Sequence, residues 1–320
     1  MLKKKIRWGI VGPGAIANKF AAAAKNLECA ELSAVASRTE EKGRAFADKY
    51  GIPNVFCGYE EMAKSDLVDA VYIATPHPFH KPCAELFLNA GKHVLCEKPM
   101  CINKKEAEAL KACAEKNGVF LMEALWTRFL PAIKEMQRVI ASGEIGEVMG
   151  TRADFCYFCT PEEDGKIFDP KMAGGSLLDV GVYALHFSSL LFGSEPEEIK
   201  AVANIDGVDR HTAFLLKYKG GRIADLSSAI TLYKPEDAFV YGTRGYIYLP
   251  KFYGAQEFFI TCGEKTKRVA APSIGDGFEE EIIEACECIL AGKTQSDTLP
   301  LDETVAIIGL MDKIRAQLNV

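Results

Sequence analysis

Gly12-Pro13-Gly14-Ala15-Ile16-Ala17 follows the apolar stretch Ile6 to Val11 and decides the fold class of this chain. The order reads as a strand, a glycine turn and the first turn of a helix, which is the local structure that a pyrophosphate requires. Gly12 permits the tight turn, Gly14 lets the backbone approach the phosphates, and Ala17 keeps helix and sheet close. Backbone N–H groups and the helix dipole then face the anion. We predict a dinucleotide-binding turn, for which the alternative is an ordinary strand-to-helix connection.

Strands and helices alternate through the rest of the first part of the chain. The strand-like stretches are too apolar to have a solvated face, so we expect both faces to be covered, as in a parallel doubly wound sheet. The predicted strands after the first are Glu31 to Ala36, Asp69 to Ala74, His93 to Cys96 and Val119 to Met122, and the predicted helices are Ala17 to Lys25, Glu40 to Tyr50, Pro82 to Asn89 and Lys104 to Lys116. The fold class is therefore α/β, with an N-terminal Rossmann domain over residues 1–123.

The pattern changes after about Ala124, where consecutive strand-like stretches have short connections that favour an antiparallel sheet. These stretches are Glu198 to Asn204, Thr212 to Tyr218, Arg222 to Ala229, Ala238 to Tyr241, Tyr246 to Leu249 and Glu257 to Thr261. Helices are predicted at Pro131 to Ala141, Ser176 to Leu191, Phe278 to Leu290 and Glu303 to Leu318. Residues 124–320 are predicted to form an α+β domain on a large, mostly antiparallel open sheet.

Composition and charge argue against several classes of protein. The chain has 320 residues and 48% hydrophobic content, which suits two domains with separate cores. Its net charge of −6 includes no basic cluster beyond Lys3-Lys4-Lys5, so we expect no nucleic-acid partner. We find no run of the roughly 18 apolar residues that a membrane helix needs, so we expect no membrane partner either. A small-molecule partner is favoured.

The cysteines indicate the compartment. Eleven of them, an odd number, are scattered from Cys29 to Cys288, and the N-terminal stretch lacks the features of a signal peptide. We therefore expect free thiols in a reducing, cytoplasmic environment. Cys156 and Cys159 form a C-x-x-C, but on a strand residues three apart point to opposite faces, so we predict no metal site.

The end of the second predicted strand bears on the choice of nicotinamide cofactor. An acid at this position binds the ribose 2′-hydroxyl, whereas a cation favours a 2′-phosphate. The sequence here is Ala36-Ser37-Arg38, and the first acids, Glu40 and Glu41, fall in the opening turn of the next helix, where they suit its dipole. We expect Arg38 to favour NADP, with NAD as the alternative if Arg38 is merely solvated.

Four motifs, in their order along the chain, resemble the glucose-fructose oxidoreductase / inositol dehydrogenase / MocA (Gfo/Idh/MocA) family. They are Gly12 to Ala17, Thr75-Pro76-His77-Pro78-Phe79-His80, Glu97-Lys98-Pro99, and Gly174-Gly175-Ser176-Leu177-Leu178-Asp179-Val180-Gly181-Val182-Tyr183. Two more stretches, Ser142 to Gly146 and Glu123 to Phe129, look like those of the branch with dimeric dihydrodiol dehydrogenases and NADP-dependent xylose dehydrogenases. The resemblance covers essentially the whole length.

The resemblance implies a site between a Rossmann domain and a second domain whose open sheet often forms an oligomer interface. A homodimer or homotetramer through that sheet is therefore expected, as is a cis bond between Lys98 and Pro99. The implied cofactor-binding residues are Gly12, Gly14, Ala15, Ile16, Ser37, Arg38, Thr75, His80, Glu97 and Lys98.

Oxidation of a hydroxyl group requires a residue that takes the proton and a group that assists it. Oxidation of a carbinol removes hydride from carbon while a positioned group takes the hydroxyl proton. Tyr183 stands where many family members have His, and in the dihydrodiol and glucose-fructose branches such a Tyr is the proposed acid/base. A free Tyr, with a pKa of about 10, is a poor base, but Lys98 nearby would favour its phenolate. The alternatives are a core tyrosine and a solvated lysine, with His186 as a second acid/base or a structural histidine.

Four further residues are candidates for binding the substrate. Asp179 lies four residues before Tyr183, so on a helix both face one side. Asp179 can bind a hydroxyl or orient Tyr183, and the alternative is that it only serves the local helix. Trp126 and Arg128 are expected to form a wall and a polar contact near the nicotinamide. His77 stands where an Asn is frequent in the family, and it is expected to contact cofactor or substrate.

We therefore expect an NADP-dependent oxidoreductase that acts on a hydroxyl of a sugar, polyol or trans-diol. Two alternatives remain open at this point. The family also contains sugar-sensing regulators without evident turnover, and it contains glucose-fructose type transhydrogenases that never release their NADP.

Overall fold

The computed structural model describes residues 5–319, so Lys3 and Lys4 lie outside the described residues. The chain folds as two compact units. The first contains the described residues up to Trp126 together with Ile274–Val305, and the second contains Thr127–Ser273 together with the described residues from Ala306 onward. The sequence analysis placed one boundary, after residue 123, and did not anticipate that the chain returns to the first unit.

The first unit is built on a six-stranded sheet in which every neighbouring pair of strands is parallel. Its strands are β1 (Ile6–Val11), β2 (Ala30–Ser37), β3 (Asn54–Cys57), β4 (Ala70–Ile73), β5 (His93–Glu97) and β6 (Leu121–Ala124). Its helices are α1 (Ala15–Ala24), α2 (Glu40–Tyr50), α3 (Glu60–Lys64), α4 (His80–Asn89) and α5 (Lys104–Asn117). The strand order β3-β2-β1-β4-β5-β6 is that of the Rossmann fold, as predicted.

Large aromatic side chains fill the space between α1 and this sheet. Phe20 of α1 stacks on Tyr72 of β4 with ring centroids 3.9 Å apart, and it meets Trp8 of β1 edge-on at 5.4 Å. All three are fully buried, and each such side chain contributes about 1.5 to 3 kcal/mol through removal of apolar surface from water. This packing fixes α1, and therefore the glycine turn before it, against β1 and β4.

The second unit contains an eight-stranded sheet in the order β14-β13-β12-β11-β7-β10-β9-β8. Neighbouring strands are antiparallel except for β7 and β10, which are parallel, so the prediction of a mostly antiparallel sheet is confirmed. The strands are β7 (Val148–Cys156), β8 (Glu198–Asp206), β9 (Val208–Tyr218), β10 (Arg222–Ala229), β11 (Ala238–Gly242), β12 (Tyr246–Leu249), β13 (Glu257–Cys262) and β14 (Lys265–Ala270). The other helices of the chain are α6 (Pro131–Ala141), α7 (Val182–Phe192), α8 (Phe278–Leu290) and α9 (Leu301–Leu318).

Most elements lie within two residues of their predicted ends, but several were not anticipated. Two of these, β3 and α3, are only four and five residues long, too short for an apolar period to be visible. Strand β14 is largely exposed and carries three cations, Lys265, Lys267 and Arg268, so its sequence lacks an apolar face. Only the end of β7 was recognised, because the strand-like pattern around the C-x-x-C runs from Phe155 to Cys159.

One segment, Pro170–Phe192, is long and apolar enough to cross a membrane by length and composition, with a mean hydropathy of 1.3. The sequence analysis missed it. Of the 18-residue window of this segment that has this mean hydropathy, 78% is buried by the rest of the chain. A helix that is apolar all round suits such a core position, and α7 packs against β7 and β10 at the centre of the sheet.

Candidate active site

The glycine turn lies where a Rossmann fold binds its ligand. The turn follows β1 and Thr75 follows β4, and these two strands are neighbours at the point where the strand order reverses. Gly12 has a φ of +85°, and a Cβ there would lie 3.1 Å from Cγ2 of Thr75 and 3.2 Å from the carbonyl oxygen of Ala74. A side chain at Gly12 would therefore fill the space above the strand ends.

The start of α1 is open to an anion. Gly14 is the N-terminal cap of this helix, and no side chain within the described part of the chain accepts a capping hydrogen bond there. Gly14 and Ala15 are exposed, and Ile16 is half-buried. The first N–H groups of the ten-residue helix can therefore donate to phosphate oxygens, assisted by the helix dipole. The cradle at Gly12 and this uncapped start fit the pyrophosphate of a dinucleotide.

The end of β2 lies beside the same edge of the sheet. Ser37 is buried and is the last residue of β2, and Arg38 follows it with an exposed side chain. Glu40, the first acid after the strand, forms an ion pair with Arg44 at 3.6 Å within α2. The cation at this strand end is therefore exposed while Glu40 pairs within its own helix.

A buried polar framework holds the turn that carries Lys98. The Lys98–Pro99 bond is cis, as predicted. Glu97 is buried, and its carboxylate accepts hydrogen bonds from the hydroxyl of Tyr72 and, at 3.2 Å, from the backbone N–H of Lys98. Glu123 on β6 accepts a bond from the N–H of Met100 at 2.9 Å. Burial raises the pKa of Glu97, while the charge of Lys98 opposes that shift.

His80 fastens two loops together. It is 1% exposed, with Nδ1 2.9 Å from the carbonyl oxygen of Pro99 and Nε2 2.7 Å from that of Thr75. Burial, followed by the nearby His77, lowers the pKa of His80 to about 4, so the ring is neutral at pH 7. A neutral ring carries one N–H, so it donates to one of these two carbonyl oxygens while it packs between the Thr75 loop and the Lys98 turn. His77, half-buried, lies on the short helical turn before α4.

Trp126 has an aromatic partner that the sequence analysis missed. Its ring stacks on Phe278, the first residue of α8, with centroids 5.2 Å apart, and the Lys19 ammonium lies 5.7 Å from the centroid of the Phe278 ring. Phe278 comes from the segment that returns to the first unit, more than 150 positions along the chain from Trp126. No local signal connects the two residues.

In the second unit, a buried aspartate anchors the segment that carries the candidate catalytic residues. Asp209 accepts hydrogen bonds from the Ser176 hydroxyl at 2.8 Å, the Leu177 N–H at 2.7 Å and the Thr212 hydroxyl at 3.0 Å. Gly175 has a φ of +108°, and a Cβ there would lie 2.1 Å from Oδ1 of Asp209. The glycine of the Gly174-Gly175-Ser176 motif is therefore required by the approach of Asp209, which sequence reasoning did not identify.

The anchored segment begins with a π-helical turn, Leu177–Gly181, and continues as α7. π turns occur frequently at functional sites. Asp179 lies in this turn, and its Oδ2 accepts a hydrogen bond of 2.8 Å from the hydroxyl of Tyr157. Tyr183 lies in the first turn of α7, 7% exposed, with its ring centroid 5.2 Å from that of Phe155 and 6.2 Å from that of Tyr253. Carboxylate and phenol thus lie one turn apart beside an aromatic wall.

The remaining candidates in the second unit, Arg128 and His186, are also buried. His186 is 1% exposed on α7. The burial of His186 agrees with the structural alternative considered for it. Within residues 5–319 no group of three or more His, Cys, Asp or Glu side chains is arranged to hold a metal ion.

Comparison with known proteins agrees with both units. Residues 6–125 match the oxidoreductase family with an NAD-binding Rossmann fold, and residues 133–248 match the Gfo/Idh/MocA C-terminal domain. The chain belongs to the Gfo/Idh/MocA family of oxidoreductases. The first match spans β1 to β6 of the sheet that carries the glycine turn. This Gfo/Idh/MocA oxidoreductase therefore has its NAD(P)-binding fold in the first unit.

Relatives in the Gfo/Idh/MocA family match over nearly the full length. The trans-1,2-dihydrobenzene-1,2-diol dehydrogenase of Mus musculus is 37% identical, and the match covers 98% of this chain and 97% of the relative. The aldose-aldose oxidoreductase from Caulobacter crescentus, solved with glycerol, has a TM-score of 0.91 at 26% identity and covers 99% of this chain and 98% of its own. A 3-ketoreductase from Actinomadura kijaniata, solved with NADP and TDP-benzene, has a TM-score of 0.88 at 26% identity and covers 98% of each chain.

Proposed function

We propose that this Gfo/Idh/MocA oxidoreductase is a cytoplasmic, NADP-dependent dehydrogenase that oxidises a secondary hydroxyl of a trans-dihydrodiol, sugar or polyol. The observation that carries the proposal is the pairing of Asp179 and Tyr183 one turn apart on a buried, anchored helix start. Such a pair can bind one hydroxyl and remove a proton from its neighbour. The dihydrodiol dehydrogenases, at up to 37% identity, support this reaction class.

Tyr183 is proposed to take the hydroxyl proton. In the oxidation direction the O–H bond breaks, the proton passes to the phenolate oxygen, and the C–O bond becomes a carbonyl as hydride leaves carbon. The nicotinamide cofactor, when bound, accepts that hydride. Burial of the ring beside Phe155 and Tyr253 limits water around the phenol. The same group returns the proton when the reaction runs as a reduction.

Lys98 is proposed to assist electrostatically. A cation near the phenol favours the phenolate and stabilises negative charge that develops on the substrate oxygen. Glu97 and Glu123 brace the turn that carries Lys98, and this rigidity suits a group that must be placed accurately. The buried ring of His80 packs between the carbonyl groups of Thr75 and Pro99 and adds to this rigidity.

NADP is proposed as the preferred cofactor because the cation after β2, Arg38, is exposed, whereas Glu40 is paired within α2. The structural neighbour solved with NADP supports this preference. The residues proposed to hold the cofactor are Gly12, Gly14, Ala15, Ile16, Ser37, Arg38, Thr75 and Lys98, with His77 close to them.

Among these substrate classes, a cyclic vicinal diol is proposed to be preferred over an open polyol. Phe155 and Tyr253 stack with centroids 4.1 Å apart, and Phe155 contacts Tyr183. An apolar wall of this kind suits the face of a carbocycle, while Asp179 suits a hydroxyl. Trp126, stacked on Phe278, and the buried Arg128 are proposed to complete the substrate contacts.

A second candidate function is a transhydrogenase that oxidises one sugar and reduces another without releasing NADP. The similarity to an aldose-aldose oxidoreductase at a TM-score of 0.91 favours it. Denaturing the purified protein and assaying the supernatant for NADP distinguishes the two functions. A stoichiometric release supports the transhydrogenase, whereas a dehydrogenase is purified largely without cofactor.

We also propose that the protein is a homodimer or homotetramer through the open face of the second sheet. That face carries a row of aromatic side chains, Phe239, Tyr241, Tyr246, Tyr248 and Phe259, in which Tyr241 and Tyr246 are each 39% exposed. Exposed apolar faces of this extent mark interaction surfaces. Light scattering after gel filtration measures the mass, and a monomer at micromolar concentration contradicts the proposal.

The test of the function is a substrate screen with a matched variant. Purified protein is incubated with trans-dihydrodiols, cyclic diols, aldoses and polyols, each with NADP and NAD, and reduced nicotinamide is followed by absorbance. Tyr183→Phe removes the hydroxyl and keeps the ring packing, so turnover should fall about 100-fold or more while cofactor affinity changes little. Near-normal turnover in folded Tyr183→Phe protein contradicts the proton-transfer role and directs attention to His186 or solvent.

A further inference from the structure

Tyr157 was not singled out by any motif, yet its hydroxyl contacts Asp179 directly. It follows β7 by one residue, and its hydroxyl donates a hydrogen bond of 2.8 Å to Oδ2 of Asp179. The bond joins the end of β7 to the π-helical turn, 22 residues further along the chain. Its direction is set by chemistry, since an ionised carboxylate can only accept.

The backbone on either side of Tyr157 is fixed. The N–H of Tyr157 donates to the carbonyl of Ala229 at 3.0 Å, and the N–H of Cys159 donates to the carbonyl of Ile230 at 3.0 Å. These bonds continue the pairing of β7 with β10 beyond the last residue of β7. The Tyr157 backbone therefore moves with the sheet rather than with the loop that follows.

The ring of Tyr157 is also held. It packs against a buried cluster of Ile167, Val208 and Ile230, together with Phe168. Because the ring is wedged against this cluster, the position of its hydroxyl is determined before any substrate arrives. A hydrogen-bond donor fixed in this way restricts both rotation and translation of the carboxylate that it contacts.

The hydroxyl remains a donor over the working pH range. Burial, followed by the charge of Asp179, raises the pKa of Tyr157 above that of a free phenol, and Cys159 and Asp164 act in the same direction. Tyr157 is therefore protonated at neutral pH and does not compete with Tyr183 as a base. What it supplies to the site is orientation of the carboxylate.

We propose that Tyr157 is a positioning residue that aims the Asp179 carboxylate at the second hydroxyl of a vicinal diol and so determines the preference for diols over mono-alcohols. The inference rests on the proposed function, in which Tyr183 takes the proton of the reacting hydroxyl and Asp179 binds its neighbour. A mono-alcohol lacks the second hydroxyl, so it does not use the carboxylate. Loss of the Tyr157 hydroxyl should therefore affect diols selectively.

The experiment compares trans-1,2-cyclohexanediol with cyclohexanol in wild-type protein and in Tyr157→Phe. The affinity for cyclohexanol is measured as a KM if it is turned over and as a competitive inhibition constant if it is not. In Tyr157→Phe the KM for the diol should rise about tenfold, while kcat falls less and the affinity for cyclohexanol stays within about twofold. An unchanged diol KM, or an equal loss for both compounds, overturns the inference.

A matched control is Tyr218→Phe. Tyr218 is also buried, and its hydroxyl lies 2.8 Å from Oγ of Ser188. Ser188 is on α7, the helix of Tyr183, in its second turn. This variant deletes one buried tyrosine hydroxyl against α7 without touching Asp179. It should leave the ratio of diol to cyclohexanol affinity unchanged, and an effect equal to that of Tyr157→Phe would show general loosening of α7 and overturn the inference.

A double-mutant cycle tests whether Tyr157 acts through Asp179. In an Asp179→Ala background, Tyr157→Phe should cause no further change in diol affinity, whereas additive losses overturn the inference. The failure of the two proposals is distinguishable. Wild-type protein that turns over no diol, aldose or polyol with either cofactor refutes the proposed function, whereas wild-type turnover with an unchanged ratio in Tyr157→Phe refutes the positioning role alone.

Discussion

Glu281→Gln should make the protein more stable at neutral pH, because Glu281 is a fully buried acid. It is 0% exposed in the first turn of α8, and neither carboxylate oxygen has a hydrogen-bond partner within residues 5–319. Burial, followed by the charges of Glu97 and Asp276, raises the pKa of Glu281 well above its ordinary value. The carboxyl is therefore protonated in the folded protein at pH values where it is ionised in the unfolded chain.

The sign of the effect follows from linkage between protonation and folding. An acid whose pKa is raised in the folded state makes a pH-dependent contribution to the free energy of unfolding. That contribution is complete below the unfolded pKa, about 4.3 for Glu, and is lost as the pH rises toward the folded pKa. The slope in this range is about 1.4 kcal/mol per pH unit. As the pH rises above 5 the wild type should thus lose stability relative to a residue that does not titrate, until the pH reaches the folded pKa.

The assay is urea unfolding followed by circular dichroism at pH 5, 6, 7 and 8. Glu281→Gln keeps the size of the side chain and removes its titration, so the two proteins should be closest in stability at pH 5 and should diverge above it. Glu287→Gln is the matched control, because Glu287 is an exposed acid on the same helix. The free energy of unfolding of Glu287→Gln should change with pH in the same way as that of the wild type.

Parallel curves for wild type and Glu281→Gln from pH 5 to 8 would refute the reasoning, since they would mean that Glu281 has the same protonation in the folded and unfolded states. A divergence of the same size in Glu287→Gln would also refute it, because burial would then not be the cause. Glu97, whose pKa is also raised by burial, is present in every variant, and because its charge acts on Glu281 the comparison reports the titration of Glu281 in the presence of Glu97.

Three further predictions concern the candidate site. Arg38→Ala should weaken NADP binding more than NAD binding by about 1.5 to 3 kcal/mol, the worth of a hydrogen bond to a charged group, in fluorescence titrations; equal weakening contradicts the assignment. Lys98→Met should lower turnover and shift the basic-side requirement for oxidation to higher pH, and an unmoved limb in the pH profile argues against its effect on Tyr183. Gly175→Ala should lower the free energy of unfolding, measured with urea, by about 2 to 4 kcal/mol, because its Cβ would lie 2.1 Å from Oδ1 of Asp209. The control is Gly220→Ala, whose Cβ would have no atom within 4 Å. It should lower the free energy of unfolding only by the left-handed backbone strain of about 1 to 2 kcal/mol.

Much of the first sheet and the helices could be predicted because their signals are local. The helix Glu40–Tyr50 ends at Gly51, whose φ of +73° is a conformation that glycine adopts at no steric cost, and both ends were predicted correctly. The glycine turn at Gly12, the alternation of strand and helix and the short connections of the second sheet are likewise features of neighbouring residues. The family motifs added Lys98 and Tyr183 in the same way, as short patterns in a fixed order.

The sequence analysis did not reveal the environment of the candidate site, because it depends on contacts between distant residues. Asp209 reaches Ser176 across 33 positions, and Tyr157 reaches Asp179 across 22. Neither Asp209 nor Tyr157 belongs to a recognisable sequence pattern. A hydrogen bond of this kind forms only after distant helices and strands have packed together. The sequence pattern shows which faces of these elements are apolar, but it does not show which polar groups meet when those faces pack.

The same reason separates three adjacent glutamates at the start of α8. From the sequence alone Glu279, Glu280 and Glu281 are equivalent acids that suit the positive end of a helix dipole. Only the return of this segment to the first unit buries Glu281 completely, with no hydrogen-bond partner for its carboxyl among residues 5–319. Local chemistry determined that α8 forms, whereas burial against the rest of the unit raises the pKa of Glu281.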